Sequence, residues 1–157
     1  KSAIEDGLGS IDHGRSIDWG NTTEDYARFR PGPPQSLYDR LQALDVGTTE
    51  QTLLDLGTGT GVLAREFARR GVGRVCGSDI SDVQVSMARE LAMKSGLAID
   101  FVVAAAESQP FASGSFDVVT ANQCWPYFDR SKVIPEVLRL LKPGGVLALL
   151  GSVAVNP

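Results

Sequence analysis

The sequence predicts an α/β fold, a doubly wound and mostly parallel sheet with helices on both faces. Three observations carry that prediction. From Gln51 onward, short apolar runs alternate with stretches of helical period, and strands joined through helices pair in parallel with right-handed crossovers. The first run, Gln51 to Leu56, has the apolar character of a central strand covered on both faces. It leads into a glycine-punctuated turn, Leu53-Leu54-Asp55-Leu56-Gly57-Thr58-Gly59-Thr60-Gly61, that opens a helix.

Taken in order, Lys1 to Asp18 is polar and glycine-containing without a sustained period, and reads as a loose arm. Thr22 or Thr23 caps a short helix with Tyr26 and Phe29 on one face, and Pro31 stops it. Pro33-Pro34 opens a second helix to about Val46, with Leu37, Leu41 and Leu44 at helical spacing. After the first strand, Thr60 to Arg70 reads as a crossover helix turning Val62, Leu63, Phe67 and Ala68 inward, closed by Gly71 and Gly73. Arg74 to Ser78 is the second strand and ends in Asp79. A helix from Asp82 to Ser95 follows, with Val83, Met87, Ala88 and Leu91 inward. Ile99 to Val103 and Phe116 to Ala121 are the third and fourth strands. Asp129 or Ser131 caps a helix to about Lys142 carrying Val133, Val137, Leu138 and Leu141. Pro143-Gly144-Gly145 ends it, and Val146 to Leu150 is the fifth strand. The expected division is an N-terminal arm and lead-in helix over 1–30 and a binding domain over 31–157.

Composition narrows the class. The chain has 157 residues, enough for one domain with a sizeable core, and 43% hydrophobic with 22% charged residues is an ordinary globular mix. A net charge of −4 argues against nucleic acid or an anionic membrane as the main partner. No apolar run approaches twenty residues and Lys1 to Asp12 carries no signal-peptide pattern, so the expectation is a soluble, cytoplasmic protein. Cys76 and Cys124 read as free thiols rather than a disulfide framework. His13, the sole histidine, lies in the polar arm, and no residue cluster has metal-ligand spacing. A Ser-His-Asp mechanism and a zinc or iron site are therefore both poor readings.

The glycine turn carries the chemistry. Gly57, Gly59 and Gly61 form G-x-G-x-G, and the dinucleotide pattern G-x-G-x-x-G fails because position 62 is Val. Asp55, two residues before the first glycine, would repel a pyrophosphate; it suits a ligand bearing an ammonium or a hydroxyl. Parallel sheets bind ligands beyond the carboxyl ends of their strands, where strand order reverses. The Gly57 loop, Asp79, Ala105 to Glu107 and Asn122 to Trp125 all sit at such ends.

In this order and at these intervals, Leu53 to Gly61, Asp79, Ala104 to Phe111, Phe116-Asp117-Val118-Val119 and Leu141-Lys142-Pro143-Gly144-Gly145 resemble class I S-adenosylmethionine-dependent methyltransferases of the small-molecule, type 11-like branch. The resemblance covers about Tyr26 to Leu150, and Tyr26 to Pro31 is similar to a lead-in segment of small-molecule branches. It implies a Rossmann-like sheet, with the family's C-terminal antiparallel strands missing, and S-adenosyl-L-methionine as cofactor. By position, Asp55 would sit near the methionine ammonium, and Gly57, Thr58 and Gly59 would wrap the cofactor. Asp79 would accept from both ribose hydroxyls, and Ile80 would pack on the adenine. Ala106 would offer its N–H to the ring, with Glu107 close by. Asn122 and Gln123 would border the sulfonium. Arg30, helped by Tyr26, is a candidate for the cofactor's carboxylate.

Three departures from the family pattern bear on function. Ala105 stands where many relatives have an Asp that accepts from the adenine amino group, a loss of about 0.5–1.5 kcal/mol. Pro126 and Tyr127 stand where a His-aromatic pair often follows the fourth strand, so a base at that position is absent, and Tyr127 and Glu107 are only guesses from position. The sequence ends at Pro157, where the family fold continues, so a fragment or a homo-oligomer covering the open sheet edge is expected. Bland readings stand beside the sharp ones. Cys124 and Trp125 read as packing residues, and Arg65, Arg69, Arg70 and Arg74 as solvated helix charges rather than a phosphate patch. Asn122 and Gln123 read equally as bridges to loop backbone, and Tyr26 and Arg30 as pins for the lead-in helix. The leading expectation is methyl transfer to a small-molecule acceptor by in-line displacement. The alternative is a cofactor-binding or scaffold module without catalysis; a nicotinamide dehydrogenase is disfavoured by Val62 and Asp55.

Overall fold

A computed structural model of the chain describes residues 32–152. The expected lead-in helix, with Tyr26 and Arg30, lies outside the described residues. The described elements are α1 (Gln35–Ala43), β1 (Thr52–Leu56), α2 (Val62–Arg69), β2 (Arg74–Asp79), α3 (Asp82–Lys94), β3 (Asp100–Val103), β4 (Phe116–Asn122), α4 (Arg130–Leu140) and β5 (Leu141–Leu150), with a 3₁₀ turn at Trp125–Tyr127. Among the described residues no helix is long and apolar enough to cross a membrane.

All four strand pairings are parallel, in the order β3-β2-β1-β4-β5. The chain winds outward from β1 to β3, then returns to the other side of β1 for β4 and β5. Strand order therefore reverses between β1 and β4, and the crevice at their carboxyl ends is where such sheets hold ligands.

Side chains alternate across the central strand and supply two cores. Leu53, Val75 and Val118 meet α1, α2 and α3 through Tyr38, Leu63, Phe67, Val85 and Ala88. Leu54, Leu56, Val119 and Ala121 meet α4 through Val133, Val137 and Leu140 on the opposite face. Helices thus cover both faces, as the sequence predicts. At the amino end of β1, opposite the crevice, Asp117 accepts the Thr52 N–H (2.8 Å) and pairs with Lys142 (3.1 Å), tying β4, β1 and β5 together. Those contacts hold its carboxyl below the usual range.

Helix faces depart from the expected ones. Leu44, Val83 and Leu138 are 66%, 45% and 69% exposed. Leu41, Ala88, Val133 and Val137 face inward as expected, and Tyr38 on α1, Val85 and Ala92 on α3 and Leu140 on α4 take the remaining buried places. Each residue turns the helix by about 100°, so choosing a neighbouring apolar position rotates the assigned face away from the core. Leu44 misses because α1 stops at Ala43, and Asp45 takes a left-handed φ of 60°. Pro143-Gly144-Gly145 does not separate helix from strand. The α4 helix ends at Leu140 and β5 already begins at Leu141, with the proline and glycines in a bulge. The register jumps there from Phe116↔Leu141 to Val118↔Val146.

Candidate cofactor site at the β1–β4 crevice

The loop after β1 is built from glycines that no other residue replaces without cost. Gly57, Gly59 and Gly61 have φ of 60°, 57° and 78°, a region that L side chains avoid. A Cβ on Gly57 would lie 2.8 Å from Cys124 Sγ, and one on Gly61 would lie 2.7 Å from the Phe101 ring. A Cβ on Gly59 meets only Gln84 Oε1 at 3.7 Å. The first and third glycines thus seat the loop on the protein, and the middle one turns a bare backbone outward. The Thr58 N–H donates to Ser78 O (2.9 Å) and the Gly61 N–H to Thr58 O (2.9 Å), which fixes the turn between β1 and α2 against β2.

Asp55 lies under this loop, 2% exposed, with Thr120 Oγ1 donating to its Oδ1 at 2.7 Å. Burial pushes its carboxyl up to about 6; the Thr120 and Thr58 hydroxyls oppose the rise, and the Asp79 carboxylate adds to it.

Asp79 occupies the end of β2 in a different manner. Its Oδ2 accepts the Gly59 N–H and its Oδ1 the Ser81 N–H, both at 2.9 Å. Each oxygen keeps a lone pair for a further donor. Ile80, beside it, is 77% exposed.

A cavity of about 320 Å³ opens over the β1 and β4 ends. Asp55, Gly57, Thr58, Gly59, Asn122 and Gln123 line its polar side; Pro33, Pro34, Leu37, Val62 and Leu150 line the apolar side. Six of the predicted site residues therefore share one wall. Asp79, Ile80, Ala106 and Glu107 do not line it; they lie at or after the carboxyl ends of β2 and β3, the shelf side of the crevice. Ala106 buries its methyl in the core beneath that shelf. Glu107 Oε1 accepts the Asp129 N–H at 2.8 Å.

Gln123 takes φ 61°, uncommon without glycine, and its N–H donates to Leu150 O (2.8 Å). It also lines the cavity. Cys124 packs on Gly57 and donates to Leu56 O (3.3 Å); burial pushes its thiol up to about 12, which leaves it neutral. Trp125 stands edge-on to Phe128 at 6.0 Å. Arg69, Arg70 and Arg74 pair with Glu66, Asp39 and Asp100. Arg65 departs from the solvated reading: its Nε is buried without a hydrogen-bond partner among the described residues.

Thr120 is the residue that the sequence conceals. A threonine in a strand reads as an ordinary β-former, and its contact with Asp55 exists only once β1 and β4 pair.

A methyltransferase-domain family matches residues 54–149, the region from β1 to β5. An uncharacterized methyltransferase of Mycobacterium tuberculosis (strain ATCC 25618 / H37Rv) is 32% identical over 135 residues, 86% of this chain and 52% of its own. The demethylmenaquinone methyltransferase of Thermus thermophilus is 37% identical over 115 residues, 71% of this chain and 52% of its own. Among solved structures, the YcgJ protein of Bacillus subtilis superposes with a TM-score of 0.67 at 32% identity, covering 73% of this chain and 49% of that one. The chain spans about half the length of these relatives. The match across the whole sheet, at this level of identity, places the chain in the methyltransferase-domain family.

Proposed function

We propose that this domain binds S-adenosyl-L-methionine and takes part in methyl transfer to a small or medium-sized acceptor by in-line displacement at the sulfonium methyl. The observation that carries the reading is the pair of carboxylates on either side of one glycine loop. Asp55 is a buried anion with no ion pair among the described residues, at the floor of a cavity, and suits an ammonium. Asp79 has both oxygens fixed by backbone donors and suits a vicinal diol. The two acceptors suit the cofactor at both ends. Gly59 supplies bare backbone between them, and exposed Ile80 supplies an apolar face for a purine.

When bound, the cofactor supplies an electrophilic methyl on a good leaving group. What the chain must contribute is placement. Glycine-loop backbone and the Asn122–Gln123 corner would hold the sulfonium end at the β4 terminus, and the apolar wall of Pro33, Leu37 and Leu150 would exclude water. Alignment of this kind is a large part of catalysis where no bond to the protein forms. The name of the Thermus thermophilus relative makes demethylmenaquinone a first acceptor to test. The free thiols Cys76 and Cys124 support a reducing, cytoplasmic setting.

Calorimetric titration with S-adenosyl-L-methionine tests the cofactor reading, with NAD in parallel and Asp79→Ala as the control. Micromolar binding of S-adenosyl-L-methionine alone, lost in the variant, supports it. No binding by a folded chain, or preference for NAD, overturns it. Bound cofactor with no methyl passed to any acceptor would leave the non-catalytic binding module as the better account.

A further inference from the structure

We propose that Thr120 is the positioning residue of this site: its hydroxyl holds Asp55 so that a cationic ligand binds by displacing a proton from the carboxyl group. The inference rests on the reading that the cavity takes the amino-acid end of S-adenosyl-L-methionine.

The geometry starts from strand register. Asp55 pairs with Thr120 on β4 and with Gly77 on β2. Register partners in a parallel sheet project to the same face, so the residues flanking Asp55 in the sheet are a threonine and a glycine. The glycine side is closed to any other side chain. A Cβ on Gly77 would lie 2.7 Å from the Phe101 ring and 2.9 Å from Thr58 Oγ1. Thr120, with no exposed surface, is the in-sheet neighbour that donates, and it fixes Oδ1 at 2.7 Å. That bond restrains the carboxyl group where Asp55 lines the cavity.

The charge balance supplies the rest. Among the described residues, the titratable groups facing Asp55 are Asp79 from the end of β2, Cys124 from the segment after β4 and Tyr38 from α1. None is a cation, and no ion pair reaches Asp55 among the described residues. A buried carboxylate without a counter-charge holds its proton well above the usual range. Burial accordingly places the Asp55 transition near pH 6. An ammonium entering the cavity supplies the missing charge, and the carboxyl ionises: Asp55–COOH and ligand–NH₃⁺ become a carboxylate–ammonium pair, with one proton released to solvent.

Calorimetry of the whole chain with S-adenosyl-L-methionine between pH 5 and 7 tests this, in paired buffers of different ionisation enthalpy. An α-ammonium stays protonated over that range. The expected result is close to one proton released per ligand at pH 5 and few at pH 7. Affinity should fall about tenfold per pH unit below the midpoint. Thr120→Val removes a hydrogen bond to the charged form, so its midpoint should move up by about one pH unit, and Thr120→Ser should restore it. 5′-Methylthioadenosine, which lacks the ammonium, should bind without proton release at any of these pH values. A merely structural Thr120 would change stability and leave the pH profile in place.

Cofactor binding with equal affinity and no proton release at pH 5 and 7, or a Thr120→Val profile superimposable on the parent's, overturns this inference alone. No binding at pH 7 by a folded chain overturns the cofactor reading together with it. If Thr120→Val does not fold, comparing the cofactor with 5′-methylthioadenosine on the parent chain still decides the proton exchange.

Discussion

Asp55 and Asp79 lie on adjacent strands and serve the same loop, yet their surroundings are opposite. Asp55 sits at the floor of the cavity, buried, with the Thr120 hydroxyl donating to one oxygen, and raised to a pKa of about 6. Asp79 sits on the open shelf, with a backbone N–H on each oxygen. The floor is destabilised in order to be selective, because a buried anion awaits a cation. The shelf is stabilised by its own acid, which also orders the loop. The two carboxylates should therefore answer to mutation with opposite signs, although a bound cofactor needs both.

The largest effect should come from breaking the loop that joins the two regions. Gly57→Val combines a left-handed backbone with a collision at Cys124 and should cost about 2–5 kcal/mol by urea denaturation. Next come the acids. Asp55→Asn should stabilise the ligand-free chain at pH 7–8 by about 2–3 kcal/mol, since a shift of about two pKa units costs about 1.36 kcal/mol per unit. Asp79→Ala should destabilise it by about 1–3 kcal/mol, because the Gly59 and Ser81 N–H groups lose their acceptor. Equal signs for the two variants in thermal melts would break the comparison.

The pH dependence sharpens it. A carboxyl with a raised folded-state pKa binds its proton more tightly in the native than in the unfolded chain. Its contribution to stability is fully present below pH 3.8 and is lost as pH rises through about 6. The parent should show that component of decline across this window, and Asp55→Asn should lack it. The smallest effect belongs to the shelf: Ala105→Asp adds an acceptor where the family resemblance implies one, and should tighten cofactor binding by about 0.5–1.5 kcal/mol in a titration.

The sheet was legible because β1 and β4 are apolar on both faces and each strand ends in a turn-forming segment. The glycine loop and Asp79 were legible because their spacing is local. Helix faces were less so: Val83 and Leu138 are apolar but exposed, and which apolar residue faces inward depends on where each helix lies on the sheet. The bulge at Pro143-Gly144-Gly145 carries the residues that end helices and gives no local sign that strand pairing has begun. Thr120 became visible only through register, since residues 65 positions apart meet when β1 and β4 align.

A crystal structure of this chain with S-adenosyl-L-homocysteine tests the division between floor and shelf most directly. The account predicts the ligand's ammonium at Asp55 and both ribose hydroxyls at Asp79, with the purine over Ile80. A ligand lying in the cavity with its purine on the floor, or with no contact to Asp55, would contradict it.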